Sequence, residues 1–219
     1  SIKKVVKISK SKKYKKVQII YCPPFTLIDK FLKLVKNSKI IIGAQNCHYS
    51  DKPGPLTGSI NANLLNSIGA KYVIIGHSEN RQLGENNRLI NLKIKSALKS
   101  GLKVIFCVGE TLKEKKKKIT KKILNKQIKE GLSKIKNKKN ILIAYEPVWS
   151  IGSGLIPKSN ELFNTIDFIK KKYKNHKVLY GGSVNSKSII KLKYIDNIDG
   201  YLIGGSSQDS KKFIDIIKK

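Results

Sequence analysis

Short apolar runs alternate with longer amphipathic ones along the whole of this 219-residue chain. The short runs fall at residues 17–21, 40–44, 72–76, 104–108, 141–145, 177–180 and 200–203. Each has the length of a strand buried on both faces, with no polar alternation that would let one face meet water. Between them, residues 27–36, 89–99, 114–135, 160–172 and 211–218 repeat apolar side chains at helical spacing. Strand, helix and strand in turn is the pattern of repeated βα units around a parallel sheet. A chain of this size buries one substantial core, and we read residues 1–219 as a single α/β barrel domain. Seven strands are recognisable, whereas a barrel of this type closes with eight. The shortfall lies at the front, where Ile2, Val5, Val6 and Ile8 are spaced for an amphipathic helix rather than a strand.

Composition removes several classes. No stretch approaches the roughly 18 consecutive apolar residues of a membrane span, and residues 1–10 lack the apolar segment of a secretory signal. Cys22, Cys47 and Cys107 are odd in number and sit at no metal-ligand spacing, as expected for reduced thiols in a cytoplasmic protein. The net charge of +32 invites a nucleic-acid partner. Its make-up argues against a specific one, because Arg81 and Arg88 are the only arginines, and arginine is the residue that reads phosphates and bases bidentately. The lysines are spread along outward helix faces, so loose, salt-sensitive attraction to polyanions is the expectation.

Three segments carry chemistry. Residues 141–154 read Ile-Leu-Ile-Ala-Tyr-Glu-Pro-Val-Trp-Ser-Ile-Gly-Ser-Gly, a strand that delivers Glu146 at its C-terminal end, next to a Pro-Gly loop. That is the layout of a general base beside a movable lid, and on this segment alone a merely solvated Glu146 is as good an account. A second strand ends in Gly76-His-Ser-Glu79. Thirdly, Gly-Gly-Ser follows an apolar strand twice, at residues 181–183 and 204–206. Paired glycines let backbone N–H groups approach an anion, and two such pairs on consecutive strands suggest a phosphate site.

Taken in order, Ala44-Gln-Asn-Cys47, Gly76-His-Ser-Glu79, Cys107-Val-Gly-Glu110, Ala144-Tyr-Glu-Pro-Val-Trp149, Tyr180-Gly-Gly-Ser183 and Gly204-Gly205 resemble the triosephosphate isomerases. The resemblance runs from Tyr21 to the C-terminus and implies a (β/α)8 TIM barrel. It also implies interconversion of dihydroxyacetone phosphate and glyceraldehyde 3-phosphate through an enediol(ate), without cofactor or metal, in glycolysis and gluconeogenesis. Carried over residue by residue, the resemblance makes Glu146 the base and His77, as a neutral imidazole, the electrophile. Glu79 helps organise the site. Gly152, Ser183, Gly204 and Gly205 offer backbone N–H groups to the substrate phosphate. Pro147, Val148 and Trp149 form the first hinge of the lid, Ile151, Gly152, Ser153 and Gly154 its tip, and Tyr180 and Ser183 its partners when closed. His48 and His176 are read as loop or surface histidines.

The chain departs from the family in three places. No Asn-x-Lys segment occurs before Tyr21, so the expectation is of a copy lacking the first strand, less active than one that has it. Asn80 stands where the family has a basic residue, while Arg81 is kept. The second hinge is Leu155-Ile-Pro157 in place of Lys-Thr-Ala, and Pro157 is equally suited to opening the next helix. A homodimer through residues 45–58 is implied, with Thr57 near the partner's site. The competing expectation is an inactive basic barrel fragment that binds phosphorylated ligands or polyanions.

Overall fold

Alternate residues of each strand enter two different cores. The computed structural model describes residues 2–14, 16–52, 54–174 and 176–219. Among these the strands are β1 (Ile20–Tyr21), β2 (Ile41–Ala44), β3 (Tyr72–Ile75), β4 (Lys103–Val108), β5 (Ile141–Tyr145), β6 (Val178–Tyr180) and β7 (Gly200–Tyr201). Val73, Ile75, Val104, Phe106, Ile141, Ile143 and Val178 pack outward against helix residues such as Ile90, Ile94, Leu124, Ile128, Leu162 and Ile166. Their neighbours Tyr72, Ile74, Ile105, Cys107, Leu142, Ala144 and Leu179 form a second core made only of residues from the strands and strand ends. This is the two-residue period of a strand, used on both faces at once. Full burial of side chains like Phe106 or Ile143 contributes about 1.5–3 kcal/mol each.

The seven strands are parallel and ordered as they occur in the chain. The register steps regularly, with Ile75 opposite Phe106 and Cys107 opposite Ala144. The two ends of the sheet are drawn together by Tyr21. Its hydroxyl donates to the Ser207 carbonyl, just beyond β7, and its ring meets Phe213 edge-on at 5.6 Å. β1 and β7 span two residues each, shorter than the apolar runs 17–21 and 200–203, since neither has a second strand neighbour among the described residues.

The helices are α1 (Ile2–Ser9), α2 (Ile28–Val35), α3 (Ala62–Ser67), α4 (Ser78–Gln82), α5 (Asn87–Lys99), α6 (Leu112–Lys116), α7 (Thr120–Gly131), α8 (Ser159–Lys172), α9 (Ile189–Leu192) and α10 (Ser210–Lys218). Residues 2–9 are helical, one short of the 2–10 that the spacing predicts, and α1 packs on α2 and α10. Side-chain caps fix several starts: Asn61 for α3, Asn86 for α5 and Asp209 for α10 each accept from backbone N–H groups of the first turn. The helix expected over 114–135 is two. Thr111 and Glu114 close a capping box on α6, and the chain then breaks at Lys118, whose φ of 58° is left-handed. The run Lys115–Lys118 places like charges on adjacent turns, which weakens any continuous helix there. Helix α7 approaches the sheet closely because Gly131 has no side chain: a Cβ there would lie 2.4 Å from the Phe106 ring.

Candidate active site

Extending the alternation one step past Leu142 and Ala144 turns Glu146 into the strand-only core. The backbone there is gripped from both sides, with Glu146 N–H donating to Val108 O (2.8 Å) and Gly181 N–H to Tyr145 O (2.8 Å). Two glycines make room. A Cβ on Gly109 would stand 1.8 Å from the Glu146 carbonyl oxygen, and one on Gly181 would stand 2.6 Å from Glu146 Cγ. The carboxylate side chain is 4 % exposed. Its Oε1 lies 3.3 Å from His77 Nε2, while Oε2 is buried with no hydrogen-bond partner among the described residues. Burying a carboxylate is costly, and such groups gather at sites that do chemistry.

His77 reaches Glu146 through a turn. β3 stops at Ile75, Gly76 takes a left-handed φ of 78°, and His77 becomes the N-cap of α4. Its Nδ1 accepts from the Glu79 N–H at 3.4 Å, which leaves the ring proton on Nε2, facing Glu146. The hydrogen bond to Glu146 raises the His77 pKa above its ordinary value; burial opposes this, and the charges of Glu146 and Glu79 add to it. The Glu79 carboxylate lies 3.8 Å from Nδ1 and is largely in solvent. Cys107 shares the core with Glu146. Burial first, and then the Glu146 carboxylate, push its thiol well above the usual range, so it stays protonated.

The lid is latched. Val148–Ser150 forms a turn of 3-10 helix after Pro147, and the Trp149 indole N–H donates to Glu110 Oε1 at 2.9 Å. Lys115 Nζ lies 3.7 Å above the same ring. At the tip, Gly154 N–H donates to Ser183 Oγ (3.0 Å), which itself donates to the Ser150 carbonyl. Ser150 Oγ bonds the Leu155 carbonyl (2.6 Å) and lies 3.1 Å from the Tyr180 hydroxyl. Tyr180 and Ser183 thus contact the loop at residues 150–154. Ile151 and Ser153 lie between the two contacts, Ser153 Oγ donating to the Ser150 carbonyl at 3.2 Å. Pro157 is buried before the Lys158 N-cap of α8, outside its first turn.

Of the four N–H groups expected to face phosphate, that of Ser183 donates here to Ser150 Oγ at a long 3.3 Å. Gly152 sits at the exposed lid tip with φ 68°, and Gly204 and Gly205 follow β7 and open the turn at Gly205–Ser207. An open cleft of about 360 Å³ lined by Lys121, Asn164, Asp167, Phe168, Lys171 and Lys172 contains none of the site residues.

Several side chains depart from expectation. His176 is buried, not superficial: it precedes β6 with Nδ1 3.1 Å from the Ile141 carbonyl, and burial lowers its pKa. Lys93 is a buried lysine, not an outward one, held by Glu85 and by Asn46 Oδ1 (3.1 Å). Glu110 is 1 % exposed and accepts from Trp149 and from the Tyr145 hydroxyl (3.2 Å); burial raises its pKa, which those hydrogen bonds oppose. The polar ending of Cys107-Val-Gly-Glu110 after an apolar strand was the available signal for it.

A family model described as triosephosphate isomerase matches residues 1–219. The chain is 39% identical to the triosephosphate isomerase of Zygosaccharomyces bailii, covering 99% of this chain and 91% of that protein. It is 40% identical to that of Dictyoglomus thermophilum, with the same coverage. The crystal structure of triosephosphate isomerase from Bartonella henselae superposes with a TM-score of 0.85 at 32% identity, covering 99% of this chain and 92% of that one.

Proposed function

The chain belongs to the triosephosphate isomerase family, and we propose that Glu146 and His77 carry out its reaction, the interconversion of dihydroxyacetone phosphate and glyceraldehyde 3-phosphate. Glu146 takes the proton from the carbon next to the carbonyl. The Nε2–H of His77 stabilises the charge that develops on the carbonyl oxygen. Glu146 then returns a proton to the adjacent carbon, with His77 exchanging protons between the two oxygens. The contact of 3.3 Å between a buried carboxylate and the protonated ring nitrogen carries this assignment.

The phosphate is assigned to the backbone N–H groups of Gly152, Ser183, Gly204 and Gly205, and the lid to keeping water from the enediolate. We also infer a homodimer through residues 45–58. Tyr49 and Leu56 of that segment, Leu64 of α3 and Leu83 after α4 are exposed apolar side chains, and Leu83 is 86% exposed. Three free cysteines suit a cytoplasmic setting, and no helix among the described residues is long and apolar enough to cross a membrane. An assay of glyceraldehyde 3-phosphate conversion by the parent and by Glu146→Gln tests the assignment. Activity present in the parent and lost in the variant supports it; a folded parent without activity favours the inactive phosphate-binding barrel.

A further inference from the structure

Arg81 is a largely buried cation that the proton transfers above leave without a task. It lies in α4, four residues after His77, and its guanidinium turns back beneath the strand ends. Nε donates to the Gly76 carbonyl (2.7 Å), Nη2 to the Cys107 carbonyl (3.1 Å) and Nη1 to Asn87 Oδ1 (2.7 Å). Asn87 is held in turn, its side-chain amide donating to Glu130 Oε2 at 2.7 Å. Arg81 forms no ion pair with a carboxylate among the described residues. The charge is spent on carbonyls.

Those carbonyls stand where pairing between β3 and β4 stops, while β4 goes on pairing with β5. The last paired residues of β3 and β4 are Ile75 and Phe106, so Gly76 and Cys107 lie one step beyond. At that step the two chains diverge, one into the left-handed turn that presents His77, the other toward Gly109. The fork of the guanidinium spans the opening where backbone pairing ends. The three groups are in close contact, since a Cβ on Gly76 would lie 3.1 Å from the Cys107 carbonyl and 3.2 Å from Arg81 Nη2. On one side of this clamp is the residue preceding His77. On the other is Cys107, whose side chain neighbours the Glu146 carboxylate.

We propose that Arg81 is a positioning residue for the isomerisation: by tying the Gly76 carbonyl to the Cys107 carbonyl, it sets the separation between His77 and Glu146. This builds on the assignment of those two side chains as the proton-transfer pair. Lysine cannot replace the fork, because a single ammonium has no planar pair of donors to hold both carbonyls.

The test compares Arg81→Lys and Arg81→Met with the parent and with Glu146→Gln, each assayed well below its own melting temperature. Both arginine variants are expected to lose about 100-fold in kcat, the order of effect of a 1 Å misplacement. KM is expected to stay within about threefold, because the phosphate contacts lie on other loops. The side-chain 15N signals of His77 are expected to shift in both. A kcat within about threefold of the parent in a folded Arg81→Lys overturns the proposal. So does a variant too unstable to assay, or a loss of kcat with unmoved His77 signals, either of which assigns the guanidinium to holding the fold. Parent-like activity in Glu146→Gln would instead refute the catalytic pair itself.

Discussion

Glu146 Oε1 lies 3.3 Å from His77 Nε2, so the two side chains proposed as proton acceptor and oxygen-polarising donor are in direct contact at the strand ends. The pair comes from strand ends two apart in the sheet, with β4 between them. Exchange of His77 for Gln removes a ring N–H aimed by a cap. The expected result is a kcat lower by about 10²–10³-fold with KM little changed, the scale of one lost donor to a developing oxyanion. Steady-state kinetics in both directions check it.

The ionisation of His77 depends on the same contact. Its raised pKa comes first from the Glu146 hydrogen bond. Stability from that shift is fully present below the unfolded value of about 6.5 and is lost as pH rises through the folded value. Glu146→Gln removes the largest cause and leaves burial, which acts in the opposite direction, against the smaller pull of the Glu79 charge. NMR titration is expected to find His77 titrating at lower pH in the variant than in the parent; equal midpoints would show that the contact is not made in solution.

Ser183 joins the lid tip to β6 through two bonds, accepting from Gly154 N–H and donating to the Ser150 carbonyl. Ser183→Ala is expected to lower kcat/KM by about 30-fold, the worth of two hydrogen bonds of about 1 kcal/mol each. A loosened lid also exposes the enediolate to water. Inorganic phosphate released per turnover is therefore expected to rise, and a phosphate assay run beside the isomerase assay reads it.

Gly181 leaves space for the carboxylate proposed as the base, since a Cβ there would lie 2.6 Å from Glu146 Cγ. In Gly181→Ala the side chain of Glu146 has to move. A kcat loss of about 100-fold is expected in a protein whose circular dichroism matches the parent.

Lys93 and Glu85 form a buried ion pair, with side chains 9% and 10% exposed, at the base of the segment inferred to dimerise. Asn46 joins it, its amide donating to Glu85 Oε1 at 2.9 Å. Lys93→Met leaves the Glu85 charge uncompensated and is expected to cost about 3–5 kcal/mol. Adding Glu85→Gln removes that charge and is expected to recover most of the loss in a denaturant-unfolding series.

Much of this arrangement was legible in the chain. The apolar run of β5 fixes which way Glu146 turns, because residues 142, 144 and 146 share a face, and Gly76 before His77 marks the turn that aims the ring. Serine after paired glycine pointed to an anion site, and only the family resemblance pointed to Ser183 as a lid partner. What the chain does not spell out is contact through space. Nothing local to Arg81 indicates Cys107, 26 positions away, as the second carbonyl it holds. Glu110 similarly takes its meaning from Trp149 and Tyr145 on another strand's end. The break at Lys118 is a backbone event inside a run of lysines that propensity alone treats as good helix. His176 has no polar motif around it, and its burial follows from how β5 and β6 pack.

Proton transfer by Glu146 is tested most directly in deuterium oxide. Incubation of dihydroxyacetone phosphate with the protein, followed by proton NMR, reads exchange at the carbon beside the carbonyl. The parent is expected to incorporate solvent deuterium at the exchanged carbon during turnover, and Glu146→Gln is expected to slow that incorporation by at least about 100-fold. Equal incorporation by both would contradict Glu146 as the base.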